Sequence, residues 1–97
     1  MVLELAILNV KAGQEAAFEA ALREARPLIE EIPGFGGLEV RRCVEAPNRY
    51  VLLAKWRAVE DHTIGFRSSP QYQEWRRRLH HFYDPFPTVE HYQEPIA

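Results

Sequence analysis

Aromatic and imidazole side chains cluster within residues 62–83, and this segment is the part of the sequence best suited to chemistry. His62 and Phe66 lie four residues apart on one predicted helix. The next helix carries large side chains at steps of three, four and three, namely Tyr72, Trp75, Leu79 and Phe82. Side chains three or four residues apart share one face of a helix, so both sets should point toward a sheet. The pattern favours the wall of a pocket for an aromatic molecule.

The same side chains also have a simpler interpretation as core, because large aromatics fill the interior of a small domain efficiently. His62 does not fit an aliphatic core, since an imidazole buried without a hydrogen-bond partner costs about 1–3 kcal/mol. It should therefore lie in a pocket beside a partner or be exposed at the rim of the helix. In a pocket it could act as a base, because histidine titrates near neutral pH.

The remaining histidines and the single cysteine do not suggest a metal or redox site. His80 and His81 are adjacent, so on a helix they point about 100° apart. His62 and His91 come from other elements, and no His-x-x-x-His or Glu-x-x-His spacing is present. Cys43 is alone, which excludes an internal disulfide and agrees with a reducing compartment. We predict no metal site.

Composition and charge exclude several classes of protein. The formal net charge is -2, and the basic run Arg76–Arg78 follows Glu74, so we interpret that run as a solvated helix face with subunit salt bridges. Neither nucleic acid nor a membrane is an expected partner. The chain has no run of about 20 apolar residues and no signal-peptide pattern, so we expect one cytoplasmic domain over residues 1–97.

The elements that would position these residues follow the order β-α-β-β-α-β. The first strand, "VLELAILNV", alternates its faces, and "QEAAFEAALREARPLIEEI" has the apolar stripe of a one-sided helix with a kink expected at Pro27. "LEVRRCVE" and "RYVLLAKWRA" predict a hairpin, and "TVEHYQ" predicts the last strand. Ser69 as an N-cap and Pro70 at the first helical position divide the last helical region into two helices. The fold class is α+β, ferredoxin-like, with an antiparallel sheet.

Both faces of the predicted sheet are apolar. On the first strand one face carries Leu3, Leu5 and Ile7, and the other carries Val2, Ala6, Leu8 and Val10. On the third strand, Val51 and Leu53 oppose a face formed by Tyr50, Leu52, Ala54 and Trp56. Small antiparallel sheets usually expose one face to water. A homodimer that buries the second face explains the pattern, and Trp56 becomes a further candidate wall of the pocket on the helical side.

The segment "WRAVEDHTIGFRSSPQYQEW" and four other features together resemble the antibiotic biosynthesis monooxygenase (ABM) family of dimeric α+β barrels. These features are Lys-x-Gly after the first strand, "PGF" before the second, "KWR" at the end of the third and "VEHY" near the end of the chain. The resemblance implies a homodimer whose two sheets pack face to face, with one pocket in each subunit between the sheet and the helices.

Some members of this family oxygenate phenolic or quinol-type substrates without metal or flavin, and the substrate anion itself reduces dioxygen. Carried over to this chain, the resemblance implies that His62 is the base or orienting group and that Tyr72 donates to the developing oxyanion. Phe66, Trp75, Leu79, Phe82 and Trp56 would bind the substrate, a small aromatic molecule. A non-catalytic ligand-binding or sensing dimer is the main alternative, and a purely structural assembly protein is a third.

Other members degrade haem with an Asn on the first strand, a Trp on the short helix and a His on the long helix. The matching positions in this chain are Ala6, Gly65 or Phe66, and Trp75. This departure argues against haem degradation, and the resemblance implies that no cofactor is needed.

Overall fold

The computed structural model describes residues 1–97 as an open four-stranded antiparallel sheet with helices on one face. The helices are α1 (Glu15–Glu30) and α2 (Pro70–Leu79), together with a π-helical segment (Asp61–Phe66) and a 3₁₀ turn (His80–Phe82). The strands are β1 (Val2–Asn9), β2 (Phe35–Arg42), β3 (Arg49–Trp56) and β4 (Val89–Tyr92). The predicted ferredoxin-like order and the division of the last helical region are confirmed.

The strand register brings distant polar residues together on the helical face of the sheet. The strand order is β2-β3-β1-β4, so β1 is central. Within β1, Glu4 pairs with Ala54 of β3 on one side and with His91 of β4 on the other. Directly paired residues of neighbouring strands project to the same face. Glu4 and His91 therefore lie side by side under the helices.

The core lies between this face and the helices. The stripe predicted on α1 is confirmed, because Phe18, Ala25 and Ile29 are buried and Leu22 packs against the core. The ring of Phe18 meets that of Tyr50 at a centroid distance of 5.0 Å. The helix α1 runs on unbroken past Pro27, which is exposed. No helix has the length and apolarity that a membrane span requires.

The second strand begins earlier than predicted. The strand predicted from "LEVRRCVE" begins at Leu38, but β2 starts at Phe35, inside the preceding "PGFGG" motif. A bulge between Phe35 and Gly37 interrupts its pairing with β3, and Gly37 has φ +142°, which a residue with a side chain rarely adopts. Glycine at this position allows the strand to continue through a sequence that is typical of a turn.

The break before α2 follows the predicted capping. The Tyr72 backbone N–H donates to the Ser69 hydroxyl at 3.1 Å, and Pro70 takes the first helical position. The second helix is shorter than predicted, because the α-helical pattern ends at Leu79 and tightens into the 3₁₀ turn. This tightening carries the chain toward the Val10–Tyr83 bridge beside the end of β1.

The opposite face of the sheet has no cover within the chain, and the sheet is not closed into a barrel. Its apolar side chains are the ones predicted by alternation: Leu3, Leu5, Ile7, Val51 and Leu53. Ile7 keeps 42% of its surface exposed, while Leu5 and Leu53 face one another across the β1–β3 pair. We call these five residues the open sheet face.

Replacing Ser69 by alanine should destabilise the protein by about 1 kcal/mol, because the first turn of α2 loses its side-chain acceptor. Urea unfolding monitored by circular dichroism would measure the change. Ser68→Ala is the matched control, since Ser68 is exposed and donates only to the Ile64 carbonyl one turn back. Equal effects of the two substitutions would contradict the capping role.

Candidate functional site

A cavity of about 390 Å³ lies between the helical face of the sheet and the helices. The floor comes from β1 and β3, the walls come from α1, the π-helical segment and α2, and the rim comes from the chain between the 3₁₀ turn and β4. Ten of its 15 lining residues are hydrophobic. The lining residues are Glu4, Ala6, Leu8, Ile29, Leu52, His62, Phe66, Arg67, Tyr72, Trp75, His80, Tyr83, Phe86, Pro87 and Val89.

The structure brings together the first four predicted site residues, since His62, Phe66, Tyr72 and Trp75 all line this cavity. The Phe66 ring packs edge-on against those of Tyr72 and Trp75, with centroids at 5.1 and 5.7 Å. The short helix and α2 therefore contribute one continuous aromatic wall. The spacing of these four residues along the chain correctly predicted which helix faces they occupy.

The other three residues predicted to bind substrate lie in the core instead. Leu79 and Trp56 are fully buried, and Phe82 packs edge-on against Phe18 at 5.7 Å. None of the three lines the cavity. The apolar stripe of α2 is longer than the cavity, so its C-terminal part packs against α1. Trp56 lies behind His62, with their rings stacked at 5.3 Å.

His62 is buried and has a partner at each ring nitrogen. Its Nδ1 lies 2.8 Å from Nε2 of His91, and its Nε2 lies 3.5 Å from Oε1 of Glu4. Only 4% of its surface is exposed. The partnered position predicted for a buried imidazole is therefore present. Because the two contacts use different nitrogens, Glu4 and His91 do not converge on one point as metal ligands would.

Glu4 is the buried carboxylate of the site, with 6% of its surface exposed. The indole Nε1–H of Trp56 donates to its Oε1 at 2.9 Å. Burial raises the pKa of Glu4, and the Trp56 hydrogen bond and the charge of Arg67 offset only part of that rise. The carboxyl group therefore takes up a proton more readily than an ordinary glutamate.

Burial lowers the pKa of His62 to about 3, with the positive charge of Arg67 and the neighbouring His91 acting in the same direction. His62 is therefore neutral at pH 7 and carries one N–H. In the contact between His62 and His91, one ring donates and the other accepts. Burial likewise lowers the pKa of His91.

Two phenolic side chains line the cavity near Glu4. Burial raises the pKa of Tyr83 well above the usual range, and Glu4 and Tyr72 raise it further, so its hydroxyl stays protonated. Tyr72 also meets the ring of His80 edge-on at 5.9 Å. Both hydroxyls are thus available as hydrogen-bond donors.

Sequence reasoning missed Glu4, Arg67, Tyr83 and His91. The alternation of inward and outward side chains along β1 did contain a signal for Glu4, because Glu4 is the single charged residue among the inward positions of this strand. A charged residue at an inward strand position points to a buried polar site. His91 occupies the equivalent inward position of β4, but the hydrogen bond to His62 spans 29 residues and has no local pattern.

The basic run on α2 forms salt bridges on its own helix and with α1. Arg77 and Arg78 both contact Glu74, and Arg78 also lies 3.6 Å from Glu24 of α1. This agrees with the interpretation of a solvated, salt-bridged helix face.

The sequence matches the model of a known protein family. The family model for antibiotic biosynthesis monooxygenases matches residues 1–78, and the chain therefore belongs to the antibiotic biosynthesis monooxygenase family. An uncharacterised protein of Bacillus subtilis, YczJ, is 49% identical over 94 residues, which cover 97% of this chain and 99% of that protein.

Solved structures of the same type share the fold. A crystal structure of an antibiotic biosynthesis monooxygenase-type protein from Bordetella bronchiseptica is 38% identical, with a TM-score of 0.93 over 98% of this chain and 97% of its own. SnoaB of Streptomyces nogalater, a cofactor-independent oxygenase, is 20% identical, with a TM-score of 0.74 over 99% and 93%. The ActVA-Orf6 monooxygenase of Streptomyces coelicolor, in complex with nanaomycin D, is 20% identical, with a TM-score of 0.81 over 99% and 88%.

The low pKa of His62 should make the fold sensitive to acid. The unfolded chain binds a proton at this imidazole near pH 6.5, whereas the folded protein does so only near pH 3. The free energy of unfolding therefore decreases as the pH is lowered through this window. The lowered pKa values of His80 and His91 act in the same direction, and the raised pKa of Glu4 opposes them.

We expect His62→Gln to flatten this dependence, because the glutamine side chain does not titrate. Urea unfolding at a series of pH values between 4 and 7 would give the slope for each variant. His81→Gln is the matched control, since His81 is an exposed histidine in the 3₁₀ turn after α2. If both variants keep the wild-type slope, His62 is not the group that resists protonation.

Proposed function

We propose that this protein is a cofactor-independent monooxygenase that oxidises a small phenolic or quinol-type aromatic molecule in the cavity. The observation that carries the proposal is the composition of the cavity. An aromatic wall of Phe66, Tyr72 and Trp75 and a buried ionisable pair, Glu4 and His62, line the same partly open cavity. Membership of the antibiotic biosynthesis monooxygenase family supports the same reaction class.

The size of the cavity limits the substrate. A volume of about 390 Å³ lies near the lower end of small-molecule pockets, which span roughly 300–1,000 Å³. A bicyclic or tricyclic aromatic molecule suits this space better than a long polyketide chain. Edge-to-face contact with the rings of Phe66 and Trp75 would hold such a molecule flat between the sheet and α2.

The reaction needs no external reductant for a phenol with a free para carbon. Loss of the phenolic proton makes an electron-rich anion, which transfers electrons to dioxygen and forms a carbon–oxygen bond at the para position. Breaking the oxygen–oxygen bond and losing the para hydrogen then gives a quinone and one water. One oxygen atom enters the product and the other enters water, so the substrate supplies all four electrons.

The protein's tasks in this reaction are to remove a proton and to stabilise an anion. We assign proton removal to the end of the cavity that holds His62, where the substrate proton would leave. Tyr72 donates a hydrogen bond to the phenolate oxygen, and the cavity-lining Arg67 adds a positive charge. Trp75 and Phe66 exclude water from the electron-rich ring.

Oxygen uptake measured with an electrode tests the proposal, using 1-naphthol and anthrone-type phenols. His62→Ala should abolish uptake while the fold and assembly stay intact, and Tyr72→Phe should lower kcat by about 10- to 100-fold. His81→Ala, outside the cavity, should be unaffected. Retained turnover in His62→Ala would remove His62 from the catalytic role. Absence of uptake by the wild-type protein with every compound would contradict the proposed function.

One observation favours the alternative of a non-catalytic ligand-binding or sensing protein. An imidazole with a pKa of about 3 cannot hold a second proton at neutral pH, so His62 alone is a weak base. Tight binding of 1-naphthol in a titration calorimeter without any oxygen uptake would support this alternative.

We also propose that two copies associate through the open sheet face. Leu5, Leu53 and Ile7 leave an apolar surface on a sheet that the chain itself covers on one side only. Charges of both signs flank it, with Glu39 and Arg41 paired on β2. A two-fold copy of such a surface is complementary to itself, and two sheets packed in this way would form the barrel expected of the family.

Leu53→Glu should convert the dimer to a monomer or an unstable chain, because the new carboxylate would be buried against its own copy. Sedimentation velocity would measure the change in mass. Ile64→Glu is the matched control, since Ile64 is 63% exposed on the helical side and its change should leave the dimer intact. A wild-type protein that sediments as a monomer would contradict the association.

A further inference from the structure

We propose that Glu4, His62 and His91 form a proton relay that carries the substrate's proton from the cavity to solvent, with Glu4 as the group that receives it. The inference rests on the proposed function for its substrate, and it extends that function by assigning the acceptor and the route of exit. No step of this relay uses His62 as a terminal base.

The relay follows an unbroken line of contacts. Glu4 lines the cavity, its Oε1 lies 3.5 Å from Nε2 of His62, and Nδ1 of His62 lies 2.8 Å from Nε2 of His91. The first contact is about half an ångström longer than a good hydrogen bond, which is common before substrate binds. His62 and Glu4 are buried, whereas His91 is only partly covered. The line therefore leads from the interior outward.

The free oxygen of Glu4 is positioned to meet a substrate. Trp56 and His62 both approach Oε1. Every fully buried side-chain oxygen or nitrogen in the protein has a hydrogen-bond partner. Oε2 of Glu4 has no hydrogen bond to the protein, so it is not fully buried and a ligand can reach it. Because Glu4 lines the cavity, that access is from the side where the substrate would lie. Oε1 thus contacts the relay, and Oε2 is free to contact the substrate.

Proton transfer along this line leaves every member neutral. In the resting state protonated Glu4 faces Nε2 of His62, and each histidine carries its proton on Nδ1. The substrate O–H bond breaks and Oε2 gains that proton, while the Oε1 proton passes to Nε2 of His62. The Nδ1 proton of His62 passes to Nε2 of His91, and the Nδ1 proton of His91 passes to water. No electrons move to or from the protein.

This arrangement explains why a poor base can occupy the centre of the site. Burial and Arg67 prevent His62 from holding a second proton, but a relay never asks it to do so. It gains a proton at one nitrogen as it loses one from the other. The same burial raises the pKa of Glu4 and so favours its protonated form, and Arg67 is left to stabilise the phenolate.

The experiment measures proton release separately from oxygen chemistry. The chromogenic probe 4-nitrophenol is mixed with protein in a stopped-flow spectrometer at a mildly acidic pH, without oxygen, and the yellow anion is followed as it forms. We expect Glu4→Gln to slow its formation by about 100-fold, although glutamine still accepts from Trp56. His91→Ala should slow it by about tenfold, and imidazole added to the buffer should restore the rate, because that variant opens the outer end of the relay.

Oxygen uptake with 1-naphthol is measured on the same variants, together with His81→Ala as a control that should behave as wild type. Anion formation without oxygen uptake in the wild-type protein would support the relay and contradict the proposed function. Oxygen uptake at the wild-type rate in Glu4→Gln and His91→Ala would overturn the relay and leave the proposed function standing. Failure of the wild-type protein to form the anion would also overturn the relay. If Glu4→Gln does not fold, the imidazole rescue of His91→Ala decides the question, and absence of rescue overturns the relay.

Discussion

The burial of a carboxylate beside an imidazole is the constraint on which the rest of the structure depends. Neither Glu4 nor His62 can be removed from water cheaply, and each is tolerated only because other elements supply partners. Trp56 of β3 donates to Glu4, and His91 of β4 meets His62. Three strands and the π-helical segment must therefore be in register before the pair is satisfied.

This requirement gives the two faces of the sheet different tasks. The helical face supplies a packed core where Phe18 and Phe82 meet, and a cavity beside the first turns of α2, which Tyr72 and Trp75 line. The open sheet face is apolar without any buried polar group. The cavity and the proposed contact surface between two copies therefore lie on opposite faces of the sheet.

The aromatic and polar parts of the cavity also contribute differently. In the proposed function, the aromatic wall of Phe66 and Trp75 selects the shape and chemical class of the substrate, while the ionisable residues accept and pass on its proton. An imidazole that stays neutral is unusual as a lone base, but it suits a position between two proton-accepting groups. Family membership supports a reaction class, and the polar residues of this chain determine how that reaction could proceed here.

The sequence by itself determined the elements and their buried faces. Alternation identified the inward positions of β1 and β3, the stripe on α1 was read correctly, and Ser69 with Pro70 located the break between the helices. These features depend on neighbours within a few residues, so local spacing is enough to reveal them. The aromatic wall of the cavity was accessible in the same way, because its members repeat along two helices.

Only the tertiary structure decided the polar half of the site and the limits of the cavity. The Glu4 bond to Trp56 joins residues 52 positions apart, and the His62 contact with His91 joins residues 29 apart. Strand order and register create such contacts, and no periodicity along the chain records them. For the same reason Leu79 and Phe82 could not be separated from Trp75 by spacing alone. The apolar stripe of α2 shows which way its side chains point. The packing of α1 against that stripe decides where the cavity ends.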